Sequence, residues 1–204
     1  CDSEFIIESK SFKLYLNSFN QTRFNGVDEV RTIIVEDLSR AAKADIGVQI
    51  FLLHSSPASA NYLAGVTSPN AVLLDELDVV VNSYHPEPEL LGIGIEQVEE
   101  TLVSHLLKTN CPVTGQPDWA SVFIRYKGNK IFHENLLRYL ISFREHQDFH
   151  EHCVERIFCD LQRVCQPDSL SVYARYTRRG GLDINPFRSS DSQARPDCIR
   201  LIRQ

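Results

Sequence analysis

Two segments of this chain repeat one another, and that repeat limits the possible folds more than any other feature. Residues 14–24 read LYLNSFNQTRF and residues 138–149 read RYLISFREHQDF. Tyr15, Leu16, Ser18 and Phe19 match Tyr139, Leu140, Ser142 and Phe143 at a constant offset. Downstream, Glu36-Asp37-Leu38-Ser39-Arg40 parallels Cys159-Asp160-Leu161-Gln162-Arg163. Each copy reads as two amphipathic helices and then a strand. Such a unit cannot bury its apolar stripes alone, so the duplication implies modules that assemble through sheets. Copy two also has a strand pair before its helices, around 111–131. Its counterpart in copy one would lie upstream of residue 1. The chain begins at Cys1 and contains no Met, so either an N-terminal portion is absent or Met positions were dropped.

Periodicity fills in the remainder. Residues 4–7 read as the end of a strand. Phe12, Tyr15, Leu16 and Phe19 fall at helical spacing over Ser9–Asn20, and a second stripe (Val30, Ile33, Ile34, Leu38, Ala41) runs from Asp28, a natural N-cap, to Ala44. Ile46–Leu53 alternates as a strand, 54–70 reads as a loop, and 72–84 has room for one further strand. Residues 85–93 look like a linker. Ile95, Val98, Leu102 and Leu106 predict a helix over 95–107. A proline-stiffened loop follows (111–119), then a strand over 120–126 and a turn at Lys127-Gly-Asn. Helices are predicted at 135–143 and 148–164, a strand at 169–176, a tight turn at 178–181 and a short strand at 182–187.

Composition removes several classes of function. Hydrophobic residues make up 43% and charged residues 24%, so the chain is globular rather than disordered. Asp and Glu (27) exceed Lys and Arg (21) for a formal charge of −6, a poor match for a phosphate backbone, so no direct nucleic-acid partner is expected. No apolar run approaches a membrane span, and no membrane partner is expected. The six cysteines (Cys1, Cys111, Cys153, Cys159, Cys165, Cys198) form no C-x-x-C pair. They read as reduced thiols of a cytoplasmic protein, several of them small buried hydrophobes.

Three groups of residues are able to carry chemistry. Cys111 sits in a loop held by Pro112 and Pro117, with Asp118 seven residues on. A nucleophilic thiolate needs such a fixed position and a nearby proton donor or acceptor, although the same pattern also suits a small structural loop residue. His146, His150 and His152 cluster with Glu151 and Cys153. That spacing matches no zinc signature, and it suits a solvated helix start as well as a recognition site. In the latter, His150 shares the inward stripe of Val154 and Ile157, and a buried Glu151 carboxylate accepts paired N–H groups of a heterocycle. Arg178-Arg179-Gly180-Gly181 offers guanidinium groups and open amides to a phosphate, or is a plain strand connection. Copy one has Phe24-Asn25-Gly26 where copy two has Phe149-His150-Glu151, and Glu8-Ser9-Lys10-Ser11 where copy two has Phe132-His133-Glu134-Asn135. The polar groups are divided between the copies, which fits either one site with a half from each or drift of an unconstrained duplicate.

Taken together, Glu8-Ser-Lys-Ser-Phe-Lys-Leu-Tyr15, Cys111 through Asp118-Trp119, Phe149-His150-Glu151 and Tyr176-Thr-Arg-Arg-Gly-Gly-Leu-Asp-Ile-Asn185 resemble the blocks of the NADPH-dependent nitrile reductases of queuosine biosynthesis, the QueF family. The Glu-Ser-Lys block precedes the Cys block, as in that family's long, two-module subgroup. The resemblance implies an α+β chain of tandem tunnelling-fold modules, with antiparallel sheets and helix pairs on one face. The first module would span 1–92 and the second, carrying the nucleophile, 93–204. It implies NADPH-dependent reduction of 7-cyano-7-deazaguanine to 7-aminomethyl-7-deazaguanine for tRNA modification. In that reaction Cys111 forms a thioimide, Asp118 supplies a proton, and His150 belongs to the catalytic group. Ile7, Glu8, Ser9, His150 and Glu151 would hold the deazaguanine. Ser9, Lys10, Arg179 and Gly180 would contact NADPH, with Lys10 and Arg179 selecting its 2′-phosphate. A small-molecule nitrile as substrate, a homodimer and no metal are further expectations. Two rivals compete: a pterin-type cyclohydrolase with a metal at the His/Cys cluster, and a non-catalytic binding subunit.

Overall fold

The computed structural model describes residues 3–50, 71–179, 181–196, 201, 203 and 204. They fall into two compact units, Cys1–Ser56 and Pro57–Gln204.

The first unit is a helix pair. α1 spans Ser9–Ser18 and continues as a 3-10 turn over Phe19–Gln21; α2 spans Val27–Ala42. Gly26 occupies the cap position of α2, and Asp28 lies in the first turn, where its charge favours the helix N-terminus. Residues 4–7 and 46–50 form no strand, contrary to the sequence pattern. Their alternating apolar residues meet no neighbouring strand among the described residues, and Phe5 instead gives its N–H to the Ala42 carbonyl at 3.2 Å. The rest of the expected 46–53 strand and the expected 54–70 loop lie outside the described residues, as do Cys1, Cys198 and Gly180.

In the second unit a five-stranded sheet runs in the order β1-β2-β3-β4-β5, with β1 Val72–Leu73, β2 Ile93–Asn110, β3 Pro117–Ile131, β4 Ser169–Tyr176 and β5 Phe187–Ser189. Only β1 pairs parallel; the other pairings are antiparallel. Helices α3 (His133–Ile141) and α4 (His150–Cys165) cover one face. Leu102, Leu107, Val122, Ile124, Val172 and Ala174 alternate inward from three strands and meet Leu136, Leu140, Val154, Ile157 and Leu161 in one core. Leu74 and Leu91 belong to it too, so the segment expected as a linker is packed rather than free.

Three expectations fail here. Residues 95–107 are not a helix but part of the 18-residue strand β2. The expected turn at 127–129 is the continuation of β3, with Gly128 in the ladder opposite Val98. The last short strand is three residues, Phe187–Ser189, rather than 182–187.

The duplication is geometric as well as sequential. Tyr15 donates to Asp37 Oδ2 at 2.8 Å, and Tyr139 donates to Asp160 Oδ2 at 2.8 Å. Ser18 and Ser142 each donate to the carbonyl three residues back, both at 2.6 Å. Tyr15–Phe19 and Tyr139–Phe143 are both edge-on ring pairs. Arg40 and Arg163 hold the other oxygen of the same aspartates. Both second helices end in a left-handed residue, Lys43 and Gln166.

Candidate active site

Cys111 leaves the end of β2 and enters a closed loop. Its N–H bonds the Gln116 carbonyl and its carbonyl accepts from Gly115 N–H, both at 2.9 Å. Gly115 is left-handed (φ 65°) with open space where a Cβ would stand, which is the turn chemistry this closure requires. Pro117, at the first position of β3, has no ladder N–H to lose. The next residue, Asp118, is therefore delivered into the sheet opposite Thr109, where only 4% of it is exposed.

The chain before α4 is tied to the same strand end. Asn110 N–H bonds the His146 carbonyl at 2.8 Å, and Asp148 N–H bonds the Asn110 carbonyl at 3.2 Å. This clamp sets the first residue of α4, His150, against the sheet end. Its Nε2 lies 3.3 Å from Asp118 Oδ2. Its ring lies flat on Tyr176, with centroids 3.8 Å apart and planes 17° from parallel. The other Asp118 oxygen, Oδ1, is 2.7 Å from Arg179 Nη2. Arg179 also donates to the Gln116 carbonyl at 3.3 Å, the carbonyl that accepts the Cys111 N–H. One guanidinium thus ties the loop that carries Cys111 to the Asp118 carboxylate, whose other oxygen faces His150.

The thiols separate sharply. The Thr114 hydroxyl, then the N–H groups of Thr114 and Val113, with Arg179 as the smallest contributor, push the Cys111 thiol down to about 7. Burial pushes Cys153 up to about 12 and Cys165 up to about 11, and Cys159 is raised as well. Among the described cysteines, only Cys111 is substantially thiolate near neutrality.

The histidine cluster does not act as a unit. His146 and His152 both turn to Asp148, at 3.6 and 2.9 Å, while His150 alone faces Asp118. Among the described residues, no group of three or more His, Cys, Asp or Glu is placed to hold a metal ion. Glu151 is exposed in the first turn of α4, not buried beside His150, because successive side chains of a helix point in different directions and His150 takes the one that faces the sheet. In the first unit, Glu8 stands immediately before α1. Its Oε2 accepts from Ser11 N–H at 2.8 Å and from the Ser11 hydroxyl at 3.0 Å. Ser9 is exposed and Ile7 half-buried. Tyr176 and Thr114 were not singled out from the sequence, since both act across the fold or within a loop that has no periodic signal.

A cleft of about 450 Å³ lies elsewhere, on the opposite sheet face between Phe123, Arg125, Tyr173 and Phe187. No cysteine lines it. Among the described residues, no helix is long and apolar enough to cross a membrane.

Two family models match the chain: "Nitrile reductase, 7-cyano-7-deazaguanine-reductase N-term" over residues 1–50 and "QueF-like protein" over residues 117–195. A protein named NADPH-dependent 7-cyano-7-deazaguanine reductase from Dechloromonas aromatica is 58% identical over 200 residues, 98% of this chain and 69% of that protein. The chain belongs to this reductase family. Relatives of the same name from Azoarcus sp. and Colwellia psychrerythraea are 55% and 51% identical, covering all of this chain and 70% and 72% of their own lengths. A solved structure of the archaeosine synthase QueF-Like is also similar, at 16% identity and TM-score 0.41, over 48% of this chain and 95% of that one.

Proposed function

We propose that this member of the reductase family converts 7-cyano-7-deazaguanine to 7-aminomethyl-7-deazaguanine in queuosine biosynthesis, through a thioimide on Cys111. Bound NADPH supplies the hydride, two equivalents per nitrile. A nitrile is a poor hydride acceptor. The Cys111 sulfur lone pair forms a bond to the nitrile carbon, one carbon–nitrogen π bond opens, and the nitrogen takes a proton. The proton comes from Asp118, whose Oδ2 faces His150 Nε2. After the first hydride is added the carbon–sulfur bond breaks, its electrons returning to sulfur as thiolate while the nitrogen lone pair closes an imine, and the second hydride with a further proton takes that imine to the amine.

We assign Glu151 and His150 to the deazaguanine, together with Ile7, Glu8 and Ser9 of the first unit. A carboxylate facing paired N–H groups rejects bases lacking those donors. Ser9, Lys10, Arg179 and Gly180 are assigned to NADPH. The chemistry fits at Arg179: a guanidinium suits a phosphate, and the adjoining Gly181 has open space where a side chain would stand. We place the protein in the cytoplasm as a homodimer, with residues 1–92 and 93–204 as its two modules.

The observation that carries this reading is the Cys111 thiol, the one lowered among the described cysteines, in a loop that Arg179 ties to the buried Asp118 facing His150. The test is intact-protein mass spectrometry after mixing with the cyano base, alongside NADPH consumption. The wild type gains the mass of the nitrile and Cys111→Ala does not. A covalent mass gain that persists in Cys111→Ala would end the assignment.

A further inference from the structure

Arg179 belongs by sequence to the phosphate-binding end of the site, yet it is turned toward the nucleophile. Thr177 N–H bonds the Trp119 carbonyl at 2.8 Å, which keeps the chain on β3 after β4 ends. Two residues later, Arg179 and Leu182 exchange backbone hydrogen bonds at 2.8 and 2.9 Å, fixing the stem of a tight turn. The guanidinium projects from that stem and is 31% exposed. Its Nη2 meets Asp118 Oδ1 at 2.7 Å and the Gln116 carbonyl at 3.3 Å. That carbonyl also accepts the Cys111 N–H and so closes the nucleophile's loop.

We propose that Arg179 is a positioning residue for the covalent step: it holds the Cys111 loop and the Asp118 carboxylate in register before any cofactor binds. The inference rests on the proposed function and deepens it. A planar guanidinium serves several acceptors at fixed angles, which an ammonium cannot do. The same guanidinium is one of the groups that lower the Cys111 thiol. Without it, Asp118 loses its 2.7 Å ion pair and the Gln116 carbonyl loses one of its two donors. The thioimide forms before hydride is needed, so this role is separable from contact with NADPH.

The experiment measures the rate of mass gain on Cys111 with the cyano base and no NADPH, in wild type, Arg179→Ala and Arg179→Lys. The expected result is at least about tenfold slower adduct formation in Arg179→Ala, the order of one lost charge-assisted hydrogen bond. Arg179→Lys, with the charge but not the fork, is intermediate. A second arm follows iodoacetamide alkylation of the Cys111 peptide against pH in ligand-free enzyme, where Arg179→Ala moves the midpoint upward. Adduct formation at the wild-type rate with an unmoved alkylation midpoint would confine Arg179 to the cofactor and overturn the proposal. A wild type that forms no adduct would overturn the reductase reading instead, and the alkylation arm would still decide the role of Arg179.

Discussion

Thr114→Val tests the source of the reactive thiolate. Thr114 is exposed in the Cys111 loop, and valine has the same shape without the hydroxyl, giving up in the loop itself a long 3.4 Å hydrogen bond that Thr114 Oγ1 accepts from Gln116 N–H. Four donors share the fall of the Cys111 thiol from 9.0 to about 7, and the Thr114 hydroxyl is the largest of them. If it supplies roughly a third of that fall, its loss moves the midpoint of reactivity up to about 7.7. At pH 7 the thiolate fraction then drops about threefold. The sign is definite: the wild type is mostly thiolate above pH 7, and the variant needs more alkaline solution to reach the same state. Alkylation of the Cys111 peptide by iodoacetamide across pH reads this directly. The plateau rate does not fall, because a more basic thiolate is intrinsically the better nucleophile. An unchanged midpoint would refute the hydroxyl's role. A collapsed plateau would show that the loop had moved rather than lost a donor.

Other consequences can be checked alongside. Tyr176→Phe keeps a ring beneath His150 and leaves kcat within about threefold, whereas Tyr176→Leu loses the stack and lowers kcat about tenfold with an altered pH–rate profile, as expected from the worth of an aromatic pair. Tyr139→Phe removes a buried donor from Asp160 and costs about 2 kcal/mol in urea denaturation, while Tyr15→Phe, at the half-exposed equivalent clasp, costs about 0.5 kcal/mol; equal losses would contradict the burial difference. Gly128→Ala destabilises by about 2 kcal/mol, since its φ is 149° and a Cβ there would meet Pro167 Cα at 3.0 Å; a wild-type urea midpoint would refute that close approach.

The helices and β4 were legible because each shows one uninterrupted period. Strand β2 was not. Its residues, rich in Glu and Leu, favour helix locally, and Ile95, Val98, Leu102 and Leu106 fall at helical spacing. Inward alternation is present (Val98, Leu102, Ser104), but a register shift between Ser104 and Leu107 moves the phase, so Leu107 and Thr109 continue the buried row out of step. The bulge disguised a strand as a helix, and pairing with thirteen residues of β3 overrode local propensity. Gly128 misled in the opposite direction. It marks not a turn but the point where β3 passes against the backbone of Pro167. In the site, Cys111, Asp118 and His150 could be named from their motifs. That Arg179 faces them, and that Tyr176 carries the His150 ring, depends on strand pairing between distant segments, which leaves no trace in local spacing.

The two copies of the repeat separate scaffold from chemistry. What they share is the clasp between the helices: tyrosine hydroxyl to aspartate, serine to tyrosine carbonyl, arginine to the same aspartate. What they do not share includes the start of the helix pair and the loop between the helices. In copy two, His150 is useful only because β3 and β4 bring Asp118 and Tyr176 to it. In copy one, the corresponding Asn25 spends its backbone N–H and its side-chain amide on Glu29 of its own helix, at 2.6 and 3.0 Å. That loop satisfies its polar groups locally and needs no outside partner to hold its shape. The clasp can therefore keep both helix pairs folded while the inter-helix loop is free to differ. A duplicated unit built this way can devote one loop to catalysis without a cost to the stability of the other.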